Sequence, residues 1–339
     1  MLKKVFIVFC CASLLLGLSS CGKKDVKEKS IDVFAMDTYM TLKVSSENPD
    51  KVLKEAEDEI KRLDAMFSIG NKDSEVSILN TNGSEILGKE SDYLFLKSKK
   101  INELTDGAFD ITVFPLMEKW GFTSGKYRVP ADATIAKLLK NVGMNHIKYD
   151  KKTHLISVDD GCKIDFGGIA KGYTSEQIMK IYRKHNVKGG IVSLGGNVET
   201  CGLKKDGSKY KVGVENPFGK KEYVGILELK DRAVITSGGY ERFFEKNGQK
   251  YHHIIDPSSG KPARSDLASV TVVGSDGTMG DGLSTALFVM GREKALKFWK
   301  KNGKKLDFDL ILVTNDEKVT VTEGIENIFS SDNNYQVVR

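Results

Sequence analysis

The stretch IDFGGIAKGYT, residues 164–174, joins a short apolar segment to a helical pattern through two adjacent glycines. The apolar residues predict a strand that ends at Asp165, and the helix is predicted to hold Lys171 in its first turn. Glycines let the backbone approach a ligand closely, and a helix N-terminus with a lysine attracts a phosphate or another anion. A tight strand-to-helix turn with a solvated lysine explains the same residues equally well, so both interpretations stay open here.

On both sides of this turn, helices and strands follow one another irregularly. Apolar residues at helical spacing predict helices over residues 49–66, 92–105, 281–290 and 292–301. Segments rich in β-branched residues predict strands over residues 31–44, 190–194, 210–214, 224–229, 233–237, 267–273 and 310–313. Because strands and helices do not alternate regularly, we expect an α+β fold rather than a doubly wound parallel sheet.

A second pattern, DGLSTA at residues 281–286, follows a glycine-rich segment and opens a predicted helix. Asp281 and Thr285 are four residues apart, which places them on one face of the first helical turn. A carboxylate and a hydroxyl there suit a hard cation such as Mg²⁺, which prefers oxygen ligands and works beside phosphates. A favourable interaction of Asp281 with the helix dipole is the simpler explanation when the pattern is taken alone.

Two further segments contain residue types that could serve a reaction or a core. In YHHIIDPSSGKPA, residues 251–263, a histidine could act as a general base beside a phosphoanhydride, although structural histidines are commoner. Neighbouring strand residues point to opposite faces, so we do not expect His252 and His253 to bind one metal ion together. The segment GAFDITVFPLMEKWGF, residues 107–122, is rich in aromatics and fits a planar ligand or a packed core.

The composition is that of an ordinary globular protein and excludes several classes. The 339 residues are 40% hydrophobic and 29% charged, which rules out collagen-like, mostly disordered and coiled-coil chains. Five cysteines are too few for a disulfide scaffold, and we expect Cys162 and Cys201 to be buried thiols. The net charge of +6 is spread along the chain without a basic stripe, so we expect no nucleic acid partner.

The N-terminal segment is typical of an exported lipoprotein. Two lysines precede an apolar run over residues 5–18 that is short for a membrane span, as in a secretory signal peptide. The tetrad LSSC, residues 18–21, resembles a bacterial lipobox, whose cysteine is lipidated; an ordinary signal peptide is the alternative. We predict a signal peptide over residues 1–20, a lipid on Cys21, a charged tether over residues 21–30, and an extracytoplasmic domain over residues 31–339 anchored to a bacterial membrane.

Taken together, the motifs are far more specific than any one of them. In chain order they are MDT at residues 36–38, SEVSILN at 74–80, GAFDITVFPL at 107–116, IDFGGIAKGYT at 164–174, VSLGGN at 192–197, AVITSGGY at 233–240, HHIIDPSSGKP at 252–262 and DGLSTALFVMG at 281–291. Over residues 31–291 this set resembles the ApbE family of extracytoplasmic flavin transferases. The resemblance implies one large two-lobed domain of mixed sheets with packed helices. It also implies a Mg²⁺-dependent transfer of FMN from FAD to a Thr or Ser of an exported protein, with release of AMP.

The resemblance assigns roles to individual residues of this sequence. FAD is expected to contact Met36, Ala108, Phe109, Asp110, Asp165, Lys171 and Ile255, with Lys171 near its phosphates. Mg²⁺ is expected to bind the carbonyl oxygen of Gly168 and the side chains of Asp281 and Thr285. Asp281 and His253 would be the catalytic residues, His253 as the base that deprotonates the acceptor hydroxyl or as a group that only orients the site.

One position departs from the family pattern and keeps alternatives open. Gly70 stands where relatives often have a Tyr, Trp or Asn that covers the flavin or adenine, so either a neighbour fills the place or the pocket is more open. A common glycine is also replaced by Asp37. A Mg²⁺-dependent pyrophosphatase that cleaves FAD to FMN and AMP is therefore an alternative, as is a non-catalytic flavin-binding lipoprotein. A protein that itself carries FMN on residues 281–286 is disfavoured, because these residues fit the metal site.

Overall fold

The structure is a computed structural model that describes residues 25–339. The predicted signal peptide and the predicted lipidation site Cys21 lie outside the described residues. The helices of the described part are α1 (Pro49–Phe67), α2 (Glu75–Asn82), α3 (Lys89–Leu104), α4 (Phe114–Trp120), α5 (Asp132–Leu139), α6 (Ala170–Lys184), α7 (Gly277–Met290) and α8 (Arg292–Leu306). Short 3-10 helices cover Ile111–Val113, Met144–His146 and Glu323–Ile328.

The strands form one large sheet and several small ones. They are β1 (Lys27–Ala35), β2 (Thr38–Ser46), β3 (Ser84–Ile86), β4 (Ile147–Asp150), β5 (Leu155–Val158), β6 (Gly189–Leu194), β7 (Asn197–Gly202), β8 (Tyr210–Glu215), β9 (Tyr223–Leu229), β10 (Ala233–Gly238), β11 (Phe243–Lys246), β12 (Gln249–His252), β13 (Ile255–Asp256), β14 (Lys261–Pro262), β15 (Leu267–Gly274), β16 (Phe308–Thr314), β17 (Val319–Thr322), β18 (Phe329–Ser330) and β19 (Tyr335–Val338). The large sheet has nine strands in the order β1-β2-β6-β7-β10-β15-β16-β17-β19. The small sheets are β18-β9-β8, β3-β5-β4 and the hairpins β11-β12 and β13-β14.

Both faces of the large sheet are covered in its middle, because successive residues of a strand point to opposite faces. Val272 of β15 belongs to the apolar cluster that contains Leu283 of α7. Its neighbour Val273 belongs to the cluster that contains Leu227 of β9. Helices therefore pack on one face and the small β8-β9-β18 sheet packs on the other. This arrangement of mixed sheets and helices confirms the α+β prediction.

The predicted single strand over residues 31–44 is wrong, because this segment is a hairpin. β1 and β2 pair with Ala35 opposite Thr38, and Met36 and Asp37 form the two-residue turn between them with φ of 48° and 57°. Turns of this kind favour Asn-Gly, so Met-Asp gave no turn signal in the sequence. β1 also begins earlier than expected: residues 27–30, which we placed in the tether, pair with residues 43–46.

Two further boundaries differ from the predictions around the ligand motifs. Ile164 is not in a strand; its backbone N–H and carbonyl are each hydrogen-bonded at 2.8 Å by the side-chain amide of Asn80. α6 begins at Ala170, which confirms that Lys171 lies in the first helical turn. α7 begins at Gly277, earlier than predicted, because the Asp276 side chain caps it by accepting a hydrogen bond from the Met279 N–H at 2.7 Å.

The described residues also settle two smaller points. Cys162 and Cys201 are free and buried, as expected. Within residues 25–339, none of the helices is both long enough and apolar enough to cross a bilayer.

Candidate active site

A single cleft of about 1590 Å³ contains every residue to which the sequence assigned a role in this domain. These residues are Met36, Gly70, Ala108, Phe109, Asp110, Asp165, Gly168, Lys171, His253, Ile255, Asp281 and Thr285. They come from the β1-β2 turn, from loops, from β13, and from the helices α6 and α7. The fold thus brings together segments that are far apart in the sequence, from Met36 to Thr285. The role of each residue stays a prediction.

The start of α6 contributes a cation to the cleft. Lys171 is held by a hydrogen bond of 2.9 Å from its ammonium group to the carbonyl oxygen of Gly195, in the turn between β6 and β7. Ahead of the helix, the Gly167 N–H donates to the Asp165 carboxylate at 2.9 Å. Burial raises the pKa of the Asp165 carboxyl, although the Gly167 N–H and the Arg242 guanidinium oppose this shift. A positive side chain at a helix N-terminus makes this end of the cleft suitable for a phosphate.

Asp281 lies where α6 and α7 cross in backbone contact. A Cβ atom added at Gly172 would lie 2.2 Å from the Gly277 carbonyl oxygen, so the crossing needs glycine there. The Gly172 N–H donates to Asp281 Oδ2 at 2.8 Å. Asp281 is 5% exposed, and burial raises the pKa of its carboxyl although Lys171 and the Gly172 N–H lower it. A buried carboxylate of this kind is stabilised by a nearby cation.

The three predicted metal ligands offer hard oxygen atoms of different types. Thr285 follows Asp281 by one helical turn, and its hydroxyl lies 3.3 Å from the Ser237 hydroxyl. Because α7 begins at Gly277, the two ligands lie beyond the first helical turn, which corrects the prediction. Across residues 25–339, no group of three His, Cys, Asp or Glu side chains is arranged to hold a metal ion. One carboxylate, one hydroxyl and the Gly168 carbonyl form a donor set that suits Mg²⁺, which keeps several waters.

His253 and its neighbour His252 point in different directions. His253 Nδ1 lies 3.2 Å from the carbonyl oxygen of Arg242, which can only accept, so Nδ1 carries the proton and Nε2 has a free lone pair. Burial, together with the cations Arg242 and Lys171, lowers the pKa of His253 to about 3. His253 is therefore neutral at physiological pH and able to accept a proton. The His252 ring instead contacts Phe288 edge-on, and its Nε2 lies 3.0 Å from the Ala263 carbonyl oxygen.

The residues predicted to contact the flavin form the other part of the cleft. Met36 is fixed by its N–H, which donates to Asp64 Oδ1 at 3.1 Å. The ring of Phe109 lies against Gly168, where an added Cβ would be 3.0 Å from the Phe109 Cε2 atom. Asp110 accepts hydrogen bonds from the backbone and hydroxyl of Thr112 at 2.8 and 2.6 Å. Asp110 thus holds its own loop as well as bordering the cleft.

The structure leaves room at Gly70. An added Cβ would contact the Ser68 hydroxyl oxygen at 3.5 Å, which is an ordinary van der Waals distance. The φ of Gly70 does not lie in the left-handed region, so the backbone accepts other residues. The absence of a side chain at this position therefore leaves this part of the cleft open to solvent.

The sequence did not identify two charged residues that the cleft contains. Glu241 and Arg242 directly follow the AVITSGGY motif and line the cleft. Glu241 lies near Lys171, and Arg242 lies near His253. Although Glu241 is solvent-exposed, the surrounding protein partly desolvates its carboxyl and raises its pKa to about 7, with Lys171 lowering it and Asp281 raising it. The guanidinium of Arg242 donates to the Phe122 carbonyl oxygen at 2.8 Å. Two adjacent charges at a strand end were the available signal, but such residues are usually solvated.

Comparisons with known proteins identify the family of this chain. The ApbE family model matches residues 36–308. A curated FAD:protein FMN transferase from Haemophilus influenzae is 30% identical over 335 residues, which cover 94% of this chain and 96% of that protein. One with the same name from Klebsiella pneumoniae is 30% identical over 285 residues, covering 82% and 87%.

Solved structures show the same relationship. The ApbE protein from Thermotoga maritima has a TM-score of 0.82 and 35% identity, covering 89% of this chain and 99% of its own. The flavinyl transferase ApbE from Pseudomonas stutzeri has a TM-score of 0.79 and 29% identity, covering 91% and 98%. The chain therefore belongs to the ApbE family and is an enzyme of flavin transfer.

Proposed function

We propose that this enzyme is a Mg²⁺-dependent transferase that moves FMN from FAD to a Thr or Ser hydroxyl of an exported protein and releases AMP. The observation that carries the proposal is the meeting of Lys171, Asp281 and His253 in one cleft. A cation, a metal-ligand carboxylate and a neutral base are the groups that a phosphoryl transfer requires. Catalysis of such a transfer consists mostly of positioning and of neutralising charge on the transferred group.

The metal ligands in this proposal are the Gly168 carbonyl, the Asp281 carboxylate and the Thr285 hydroxyl. Bound there, Mg²⁺ would neutralise negative charge on the diphosphate of FAD. Lys171, which is anchored to the Gly195 carbonyl oxygen, would bind a phosphate oxygen and orient the diphosphate. The raised pKa of the buried Asp281 carboxyl supports this assignment, because a cation is the partner that this carboxylate needs.

His253 is proposed to take the proton of the acceptor hydroxyl on Nε2. The hydroxyl oxygen forms a bond to the phosphorus on the riboflavin side, and the bond from that phosphorus to the AMP phosphate oxygen breaks. The neutral state of His253 depends partly on the cations Arg242 and Lys171. An anionic diphosphate bound beside Lys171 would offset these charges and raise the pKa of His253, which makes the imidazole a stronger base in the complex.

The test is direct. The protein is incubated with FAD, Mg²⁺ and exported flavoproteins that were produced without a flavin transferase, and covalent FMN is read as in-gel flavin fluorescence. AMP is measured in parallel, and EDTA replaces Mg²⁺ in the control. The proposal requires fluorescent protein and AMP in equal amounts, both dependent on Mg²⁺. AMP release with no labelled protein would instead favour a FAD pyrophosphatase, the alternative that the open position at Gly70 supports.

We further propose that the enzyme works outside the cytoplasm on a lipid anchor attached to Cys21. The lipobox-like residues 18–21 and the charged residues that follow them support this location. Labelling of cells with a radioactive fatty acid should mark the protein, and Cys21→Ala should abolish the label and release the enzyme from the membrane fraction. Retention of the label by the variant would refute the anchor.

A further inference from the structure

The cleft is large for a small-molecule site, and its lining extends beyond the residues assigned to FAD, onto the large sheet. Its volume of about 1590 Å³ exceeds the range of about 300–1,000 Å³ that is typical of small-molecule sites. The additional lining comes from Phe34, Ser193, Val198, Gly213 and Tyr223, to which the proposed reaction assigns no role. This part of the cleft is therefore available to a second, larger substrate.

The strand register shows that these residues share one surface. Thr41 of β2 is paired with Ser193 of β6, which in turn is paired with Val198 of β7. Phe34 is paired with Tyr39 and lies on the same face of the β1-β2 hairpin, because alternate residues of a strand point the same way. The opposite face of these strands packs against α1 and α6. The outer face of β1, β2, β6 and β7 thus forms one floor, which is bounded on the β7 side where Val198 packs against the apolar cluster of the small β8-β9-β18 sheet.

Aromatic side chains stand at both ends of this floor. Phe34 and Tyr39 are 63% and 80% exposed, and their rings meet edge to face with centroids 5.1 Å apart. At the other end, Tyr223 is 41% exposed, and its ring covers Gly213, where an added Cβ would be 2.4 Å from the ring. We call the surface formed by Phe34, Tyr39, Ser193, Val198 and Tyr223 the aromatic trough. Exposed apolar groups next to a site mark a place where a partner binds.

The trough leads directly to the phosphate-binding end of the cleft. The turn between β6 and β7 consists of Gly195 and Gly196, with φ of 57° and 90°. The Gly195 carbonyl oxygen accepts the hydrogen bond from Lys171, so the ammonium group of Lys171 lies directly at this end of the trough. An added Cβ at Gly196 would lie 3.5 Å from Glu241 Oε1, which places this glycine next to the Glu241 carboxylate at the edge of the cleft.

We propose that the acceptor protein binds to the aromatic trough through an extended segment, with an apolar side chain between the aromatic walls and its Thr or Ser hydroxyl at the Gly195–Gly196 turn. This inference rests on the proposed function, because a transferase must bring a polypeptide to the phosphates that Lys171 binds. The relatives named FAD:protein FMN transferase act on a protein, and the trough is continuous with the proposed site. An extended segment fits because the floor is a sheet face on which alternate residues of each strand point toward the bound segment.

The test uses the double variant Phe34→Ser with Tyr39→Ser in the full-length enzyme. Both side chains are exposed, so their removal leaves the apolar core intact. Phe243→Ser is the control for loss of an exposed aromatic side chain, since Phe243 is 40% exposed and is not part of the aromatic trough. The acceptor is selected from an array of synthetic peptides with one central Thr or Ser, as the peptide that receives most FMN from the unaltered enzyme. Transfer to this peptide, AMP release without peptide, and FAD binding are then measured for each variant.

We expect the double variant to raise the KM for the peptide about tenfold, which corresponds to about 1.4 kcal/mol of binding free energy. FAD binding and peptide-independent AMP release should stay unchanged, and the control should match the unaltered enzyme in all three assays. An unchanged KM for the peptide would overturn the trough but leave the transferase intact. Equal losses of FAD binding and transfer would assign the aromatic pair to the flavin and also overturn the proposal. If the unaltered enzyme labels no peptide and no protein, the proposed function fails and the trough proposal fails with it.

Discussion

Replacement of Asp281 by asparagine should lower Mg²⁺-dependent activity without unfolding the protein. Asparagine has the same shape, and its side-chain oxygen can still accept the hydrogen bond that the Gly172 N–H gives to Asp281 at 2.8 Å. The contact at the α6-α7 crossing is therefore retained, while the variant loses the negative charge and one of the two acceptor oxygens that also serve the Asn197 side chain and the Lys171 N–H. Because this charge is assigned to Mg²⁺, we expect Mg²⁺-dependent AMP release to fall by at least about 100-fold, the lower end of the effect of removing one group that stabilises transition-state charge.

The same variant should be more stable than the unaltered protein when no metal is present. Burial raises the pKa of Asp281 above its ordinary value of 3.8 in the folded state. Folding stability therefore falls as the pH rises from that value through the raised pKa, because the folded protein then gives up a proton that it holds more tightly than the unfolded chain. Asparagine has no proton to lose. We expect a higher unfolding temperature for Asp281→Asn at neutral pH in EDTA, and no such gain at a pH below 3.8.

Asp276 provides a control, because it is a carboxylate of the same helix region whose pKa is lowered rather than raised. It is also on α7, but it caps the helix by accepting a hydrogen bond from the Met279 N–H at 2.7 Å and does not line the cleft. Although burial opposes it, the ion pair with Lys97 at 2.7 Å and the cap together lower the pKa of Asp276. Asp276→Asn should therefore lose stability at neutral pH and keep its Mg²⁺-dependent turnover.

The two variants are compared by AMP release at saturating Mg²⁺, by thermal unfolding in EDTA, and by FAD binding in EDTA. We expect Asp281→Asn to lose AMP release and gain thermal stability, and Asp276→Asn to keep AMP release and lose thermal stability. Both proteins should retain their FAD affinity in EDTA. If Asp281→Asn turned over FAD at the normal rate, the metal assignment would be wrong. If Asp281→Asn were instead less stable than the unaltered protein in EDTA, the charged Asp281 carboxylate would not destabilise the metal-free fold, contrary to its raised pKa.

Three further predictions concern single residues in or next to the cleft. Gly70→Tyr should lower the ratio of AMP to protein-bound FMN by shielding the flavin from water, since an added Cβ contacts only Ser68 Oγ at 3.5 Å; an equal ratio would show that residue 70 does not control hydrolysis. Gly172→Ala should destabilise the protein by about 1–3 kcal/mol or more in urea unfolding, because its Cβ would lie 2.2 Å from the Gly277 carbonyl oxygen. His253→Gln should slow transfer by about 100- to 10,000-fold with FAD binding kept. Because the pKa of free His253 is about 3, the profile of kcat/KM should show no inflection from this residue near 6.5, its ordinary value.

The sequence predicted the parts of the fold in which side chains carry the signal. The helices that became α1 and α7 have strong apolar spacing, and both were found. The hairpin of β1 and β2 was missed because its turn uses Met36 and Asp37, and the β1 residues 27–30 were missed because edge-strand pairing is made by the backbone and leaves charged side chains in solvent. Ile164 was also predicted to lie in a strand. Its backbone N–H is instead hydrogen-bonded by the side chain of Asn80, 84 positions earlier in the chain, and no local sequence pattern encodes such a contact.

The composition of the site was more predictable than its electrostatics. Lys171 and Asp281 belong to motifs that local patterns and the family resemblance both single out. Their proximity depends on Gly172, whose N–H binds Asp281 only because α6 and α7 cross in backbone contact. The low pKa of His253 arises from burial and from the nearby cations Arg242 and Lys171, which a sequence does not display. The motifs and the family resemblance therefore indicated which residues line the cleft, while their protonation states required the structure.

The charge of the cleft leads to a last prediction, that FAD and Mg²⁺ bind cooperatively. The lining includes nine Asp or Glu residues and three Lys or Arg residues, so an anionic dinucleotide enters a region that already holds an excess of carboxylates. Lys171 and Arg242 oppose this excess only locally, and burial raises the pKa of both Asp165 and Asp281. A divalent cation between Asp281 and the diphosphate would favour both partners, and such coupling is reciprocal.

Fluorescence titration of FAD with and without Mg²⁺ should therefore give an affinity at least about fivefold higher with the metal, the lower end of typical coupling between two sites. By the same reciprocity, Mg²⁺ should bind more tightly when FAD is present, and Asp281→Asn should reduce the coupling while retaining affinity for FAD in EDTA. Ca²⁺ and Na⁺ at matched ionic strength control for screening of the surface charges. An FAD affinity that did not depend on Mg²⁺ would mean that the diphosphate and Asp281 share no cation, because a shared cation must strengthen the binding of both.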